Sequence, residues 1–120
     1  MTDKAPVLTS FMPAHRLAQI FYEMHTLCEN ELELNLRQRN LISLGYLLYS
    51  SEDNVLLITT LKWVNIELIV EVHHIMLKVC EHTLLKLTER NTQTSHRTLL
   101  EYDLCTRTIR QKLKILQQNC

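Results

Sequence analysis

An all-α fold, laid out as an up-down-up antiparallel bundle of three helices, follows from three features of this 120-residue chain. Glycine occurs once and proline twice, where average usage would supply roughly fourteen between them. Hairpins and tight turns draw on those two residues, so a β-sheet has little to turn with. Apolar residues recur at every seventh position, at Ile20, Leu27, Leu34, Leu41 and Leu48. That spacing marks a helix holding one seam against another helix. Two polar clusters, Ser50-Ser51-Glu52-Asp53-Asn54 and Asn91-Thr92-Gln93-Thr94-Ser95, divide the chain where helices should end.

Each element follows in order. Residues 1–12 read as a flexible lead, and residues 13–120 as a single helical domain. Ser10 supplies a capping hydroxyl and Pro13 suits the first turn of a helix, where its missing N–H is no loss. The first helix is expected to run from there to about Ser50, or about 55 Å at ~1.5 Å per residue. Glu31 and Gln38 fall on inward heptad positions, where a polar residue sets register at some cost in stability. Leu32, Leu34 and Leu36 alternate with Glu31, Glu33 and Asn35; a break near Asn30 would make the bundle four helices.

The second helix is expected over about residues 52–90, opened by Ser50 and Asp53 in a capping box. Leu57, Leu61, Val64, Leu68, Val72, Ile75 and Val79 form its main seam, and apolar residues on most of its circumference make it the central helix. The third, over about residues 96–118, carries Leu99, Tyr102, Cys105, Ile109, Leu113 and Leu116 on one face. It spans about 33 Å, so it covers the central helix only back to about Leu68. The far end of the hairpin is left with two helices. There Tyr46, Leu48 and Tyr49 face Val55, Leu56, Ile58 and Trp63, more large side chains than two helices bury, and Leu34 and Leu41 extend the docking surface along the heptad face of the first helix. These nine residues are the expected partner interface, and Trp and Tyr are among the types enriched at interface hot spots.

Thirteen basic and thirteen acidic residues cancel, so bulk charge selects neither nucleic acid nor an anionic membrane. Residues 1–60 carry four basic and seven acidic groups, and residues 61–120 carry nine and six. Antiparallel packing is expected to set Arg107, Arg110 and Lys114 beside Glu23, Glu29 and Glu31 or Glu33. The alternative is a basic C-terminal helix that touches nucleic acid through Arg107, Arg110, Lys112 and Lys114.

No catalytic residue, cofactor or metal is expected. His25 with Cys28 and Cys80 with His82 have the right types for zinc, but residues two apart on a helix point in different directions. His73 and His74 face different sides of their helix, and the chain has no phosphate-binding loop, dinucleotide fingerprint or metalloprotease motif. Residues 41–64 share the Leu44-Gly45 pair and Leu48 with a single tetratricopeptide repeat. Leu57, Leu61 and Val64 replace its small residues and no second repeat occurs, so no family follows.

The opening residues do not read as a secretory signal. Lys62, Glu67 and Glu71 interrupt the most apolar stretch, so no membrane span is expected. The expected protein is a non-catalytic, intracellular subunit or adaptor, cytoplasmic or nuclear, that assembles with a helical partner or a second copy of itself.

Overall fold

A computed structural model describes residues 11–89 and 94–118. Within them lie four helices and no strand: α1 Ala14–Cys28, α2 Leu36–Ser50, α3 Asn54–Glu89 and α4 His96–Gln117. The all-α bundle is therefore present, with four helices rather than three. The first helix does end near Asn30. After Cys28 the chain turns, with the N–H groups of Glu31 and Leu32 both donating to the Cys28 carbonyl at 3.0 Å.

The restart is written locally. The Asn35 side chain accepts from the Gln38 N–H at 2.8 Å, and the Gln38 side chain accepts from the Asn35 N–H at 3.0 Å. This reciprocal capping box satisfies two donors that a helix start leaves without partners. Gln38 is thus a cap and not an inward register residue. Glu31 also lies off any seam, 2.9 Å from the Lys86 ammonium. The same ammonium donates to the Leu27 carbonyl at 2.7 Å, near the negative end of α1.

The other ends are capped as simply. Pro13 precedes α1 and its carbonyl accepts from the Leu17 N–H at 2.8 Å; Ser10 lies outside the described residues. Asp53 opens α3 by accepting from the Leu56 N–H at 3.2 Å. Ser50 belongs to the end of α2 and donates back to the Tyr46 carbonyl, so the expected Ser50–Asp53 box does not form. Ser95 caps α4 at the Thr98 N–H, 3.1 Å away.

α3 is not one rod. Asn65 has φ −158° and ψ 87°, an extended conformation inside the helix. Its side chain accepts from the Leu68 N–H at 3.1 Å, recapping the chain as it re-enters the helix. The break shifts the phase of residues 54–64 relative to 66–89, and the single expected seam divides with it. Val72, Ile75 and Val79 are buried, Leu57, Leu61 and Leu68 are half-buried, and Val64 lies in solvent.

The core forms where all four helices meet around residues 69–83. Leu17, Phe21 and Met24 of α1, Leu48 and Tyr49 of α2, Met76 and Cys80 of α3 and Ile109 of α4 are all essentially excluded from water. Hydrogen bonds between segments distant in sequence tie the layers. Thr83 Oγ1 donates to the Met24 carbonyl at 2.9 Å, and the Met12 N–H donates to Thr108 Oγ1 at 3.0 Å. Gly45 brings α2 close to α3: a Cβ there would lie 2.7 Å from Met76 Sδ and 3.4 Å from Val72 Cγ1. Gly45→Leu is expected to destabilise the fold by about 1–3 kcal/mol through overpacking, measured by urea unfolding. A loss below ~0.5 kcal/mol would show that α2 can back away freely.

Charge is answered inside the molecule, though between other groups than the sequence suggests. Arg110 meets Glu81 of α3 at 3.1 Å and Arg107 meets Asp103 of its own helix at 2.9 Å. Arg16 pairs with Glu101, and Glu23 accepts from the Tyr102 hydroxyl at 3.2 Å. The break after Cys28 carries Glu29, Glu31 and Glu33 away from the line that a continuous first helix would have presented to α4.

Candidate functional site

Breaking the first helix folds α2 over the tip that the sequence leaves open. Leu41, Leu48 and Tyr49 are consequently core residues and form no part of a docking surface. Leu34 and Tyr46 are half-buried against the core; the Tyr46 hydroxyl lies 3.0 Å from His25 Nδ1 and its ring 5.2 Å from that of Phe21. Ile58 is half-buried on the inner side of the 54–64 segment. Val55, Leu56 and Trp63 remain in solvent, 72%, 60% and 86% exposed, and Val64 joins them at 78%.

Those four residues share one face. Positions 55, 56, 59, 60, 63 and 64 repeat at the three- and four-residue spacings that align side chains along a helix, and Thr59 and Thr60 fill the intervening places, also exposed. Leu57, Ile58 and Leu61 occupy the opposite face and pack inward. Lys62 is the only charged side chain in residues 54–64. A helix apolar around most of its circumference is normally buried around most of its circumference. Here half of it is not. Other exposed apolar side chains, such as Tyr22, Leu36, Leu85 and Leu100, belong to separate elements or separate turns.

On the inner side of the same segment lies an open cleft of about 190 Å³ between the start of α3 and the end of α4. Ile58, Ile115 and Leu116 form its apolar walls, with Val55 at its outer rim and Tyr49, His73 and Lys112 beside them. His73 is fully buried. Its Nδ1 lies 2.8 Å from the Ile69 carbonyl, which fixes the proton there, so Nε2 accepts from the Tyr49 hydroxyl. Burial pushes the His73 imidazole down to about 4, aided by the Lys112 and His74 charges and opposed by the Ile69 carbonyl. Burial also raises the Tyr49 phenol, with a smaller contribution from Cys105. Each partner satisfies the other while neutral, so the pair neither offers nor takes a proton at neutral pH.

Lys112 is half-buried, with Nζ 5.7 Å from the centre of the Tyr49 ring. Among the described residues no carboxylate lies within ion-pair distance of it. Desolvation lowers its pKa and the ring face offsets part of that cost.

The residues weighed as metal ligands are separately engaged. His25 faces Tyr46, Cys28 Sγ points to the His25 carbonyl at 3.6 Å, and His82 Nε2 lies 3.9 Å from Glu31. Burial raises the Cys28 and Cys80 thiols. Among the described residues no three His, Cys, Asp or Glu side chains converge on a shared point. No helix of the described residues is long and apolar enough to cross a membrane. Comparison with known proteins returned no matching family model, no similar curated protein and no similar solved structure.

Asn35-x-x-Gln38, the cap that ends the long-helix reading, is visible in the sequence. So is Asn65, although in a run this apolar one asparagine competes with a strong helical pattern. Val64, assigned inward on the assumption of a continuous helix, belongs to the exposed face once the phase shift at Asn65 is known.

Proposed function

We propose that the protein is a non-catalytic helical subunit or adaptor that mediates assembly through the outer face of residues 54–64. The observation that carries this reading is the contiguous, charge-free surface of Val55, Leu56, Thr59, Thr60, Trp63 and Val64 on one helical segment. Uncovering large side chains in water costs about 25 cal/mol per Å², and a surface of this kind lowers its free energy most by docking against another helix. Trp63 is the anchor, being the largest side chain and the most exposed.

The closed Tyr49–His73 pair supports a non-catalytic role, since its donor and acceptor are already spent on each other and on Ile69. Three buried thiols, Cys28, Cys80 and Cys105, fit a reducing compartment, and the reading places the protein inside the cell, in cytoplasm or nucleus. A basic nucleic-acid helix has less support than its sequence gave it. Arg107 and Arg110 are paired and Lys112 is folded over Tyr49, leaving Lys114 as the remaining member of that set.

The test is photo-crosslinking in cells from a photoreactive residue at position 60, with one at the exposed Lys78 position as control. A discrete protein adduct from position 60, lost on Leu56→Lys, is expected. Equal or absent crosslinking at both positions would remove this face as a docking surface.

A further inference from the structure

The cleft between the start of α3 and the end of α4 is built from two matched rows. Val55, Ile58 and Thr59 stand at i, i+3 and i+4 on α3, and Lys112, Ile115 and Leu116 stand at the same spacing on α4. Ile58 and Leu116 pack inward, while Val55 and Thr59 are exposed at the rim. Tyr49 and His73, both sealed from water, close the base. Their polar atoms are spent on each other and on the Ile69 carbonyl. The base therefore offers ring surface and no free hydrogen-bonding group.

Two polar groups on this apolar lining are not spent. The half-buried Asn54 side chain borders the cleft and makes no hydrogen bond among the described residues. Lys112 is the other, and Lys86 shows what it lacks. Lys86 is also half-buried, and its ammonium is answered by Glu31 at 2.9 Å and by the Leu27 carbonyl at 2.7 Å. Among the described residues the Lys112 ammonium has only the Tyr49 ring, 5.7 Å from its centre. An ammonium drawn out of water is costly unless an anion replaces the lost hydration, and a ring face replaces only part of it.

Volume and charge define what completes the cleft. A closed cavity of roughly 150 Å³ takes benzene, and this open one measures about 190 Å³. One ammonium balances one negative charge, so a monoanion leaves no charge uncompensated beside the apolar walls. We infer that the cleft binds a small apolar monocarboxylate, with a body of about six to eight carbons between Ile58 and Leu116 and its carboxylate on Lys112. The Asn54 amide supplies a further donor at the same cleft. This site lies on the inner side of residues 54–64 and is independent of the docking role of the outer side.

Amide NMR of the full chain titrated with octanoate tests this, with 1-octanol as the uncharged probe of equal chain length. The expected result is a saturable set of shifts centred on Ile58, Lys112 and Leu116, with the Trp63 indole resonance unmoved. Octanol should bind at least about tenfold more weakly than octanoate. Lys112→Met should weaken octanoate at least about tenfold and leave octanol unchanged, whereas Lys112→Arg should retain octanoate. Circular dichroism checks that each variant is folded, and the comparison of the two probes on the unsubstituted chain requires no variant. Equal affinity for octanoate and octanol overturns the carboxylate assignment, as does a folded Lys112→Met that binds octanoate unchanged. Shifts that do not saturate up to ~10 mM, or that centre on Leu56 and Trp63, overturn the site. The position-60 crosslink reads the docking role separately, so either reading can fail without the other.

Discussion

Truncating Tyr49 to alanine is expected to cost about 3–5 kcal/mol of folding stability, whereas the same truncation at Trp63 should change it by less than ~0.5 kcal/mol. The two residues belong to one aromatic-rich stretch of sequence, and the difference is one of burial. Tyr49 is sealed at the junction of α2, α3 and α4, its ring 5.5 Å from that of His73 and its hydroxyl donating to His73 Nε2. Its removal opens a cavity and leaves a buried acceptor without a partner. Tyr49→Phe separates the two effects, keeping the ring and losing about 1–3 kcal/mol for the orphaned nitrogen. Trp63 touches little of its own molecule, so its loss should appear in association instead. Urea unfolding of the three variants reads the stability terms, and a Trp63→Ala loss as large as that of Tyr49→Ala would place the indole inside the fold.

Lowering the pH from 7 to 5 is expected to remove about 2 kcal/mol of stability through His73 alone. The sign follows from the direction of the shift. In the unfolded chain the imidazole titrates near 6.5, and in the folded protein near 4. Between those values the unfolded state binds a proton that the folded state refuses. Stability is therefore full above about pH 6.5, falls progressively toward pH 4, and levels off below it through this group. His25, also pushed down by burial and partly restored by Glu29, adds a smaller loss of the same sign. Equilibrium unfolding at several pH values measures the slope, and His73→Gln should remove most of it whatever that variant does to stability at pH 7. A slope unchanged in His73→Gln would mean that the buried imidazole is not the group titrating.

The apolar face and the buried pair use the same segment in opposite ways. The inner side of 54–64 closes over Tyr49, His73 and Lys112 through Ile58, with Val55 and Thr59 at the rim between the two sides. The outer side presents Leu56 and Trp63. Because Asn65 uncouples this segment from the rest of α3 in phase, its packing on α4 can differ from that of the helix it continues.

Periodicity identified the apolar set of nearly every helix correctly and misplaced what those helices face. Leu17, Ile20, Phe21, Met24 and Cys28 are buried as their spacing requires, and so are Tyr102, Cys105, Ile109, Leu113 and Leu116, whereas Leu27, counted in the same seam as Ile20, is 42% exposed and Leu99 is half-buried. The error came from treating the heptad run through Leu48 as one rod. Leu34 and Leu41 continue the seven-residue count across the turn after Cys28, yet they belong to the connection and to α2. A count along the chain does not register a reversal in space. Once α2 folds back, Leu41, Leu48 and Tyr49 change from tip to core, while Val55, Leu56 and Trp63, which α2 does not reach, stay in water.

Composition, spacing and capping residues are local quantities, and they determined by themselves that this chain is helical, where α1 and α4 carry their apolar stripes, and that an apolar excess lies around residues 41–64. Which part of that excess is interior was decided only by the tertiary structure. The sequence holds the same leucines and aromatics in either case, but the breaks at residues 29–35 and at Asn65 set where each stripe points. Burial depends on what lies across from a side chain, and that is fixed by the paths of several helices at once.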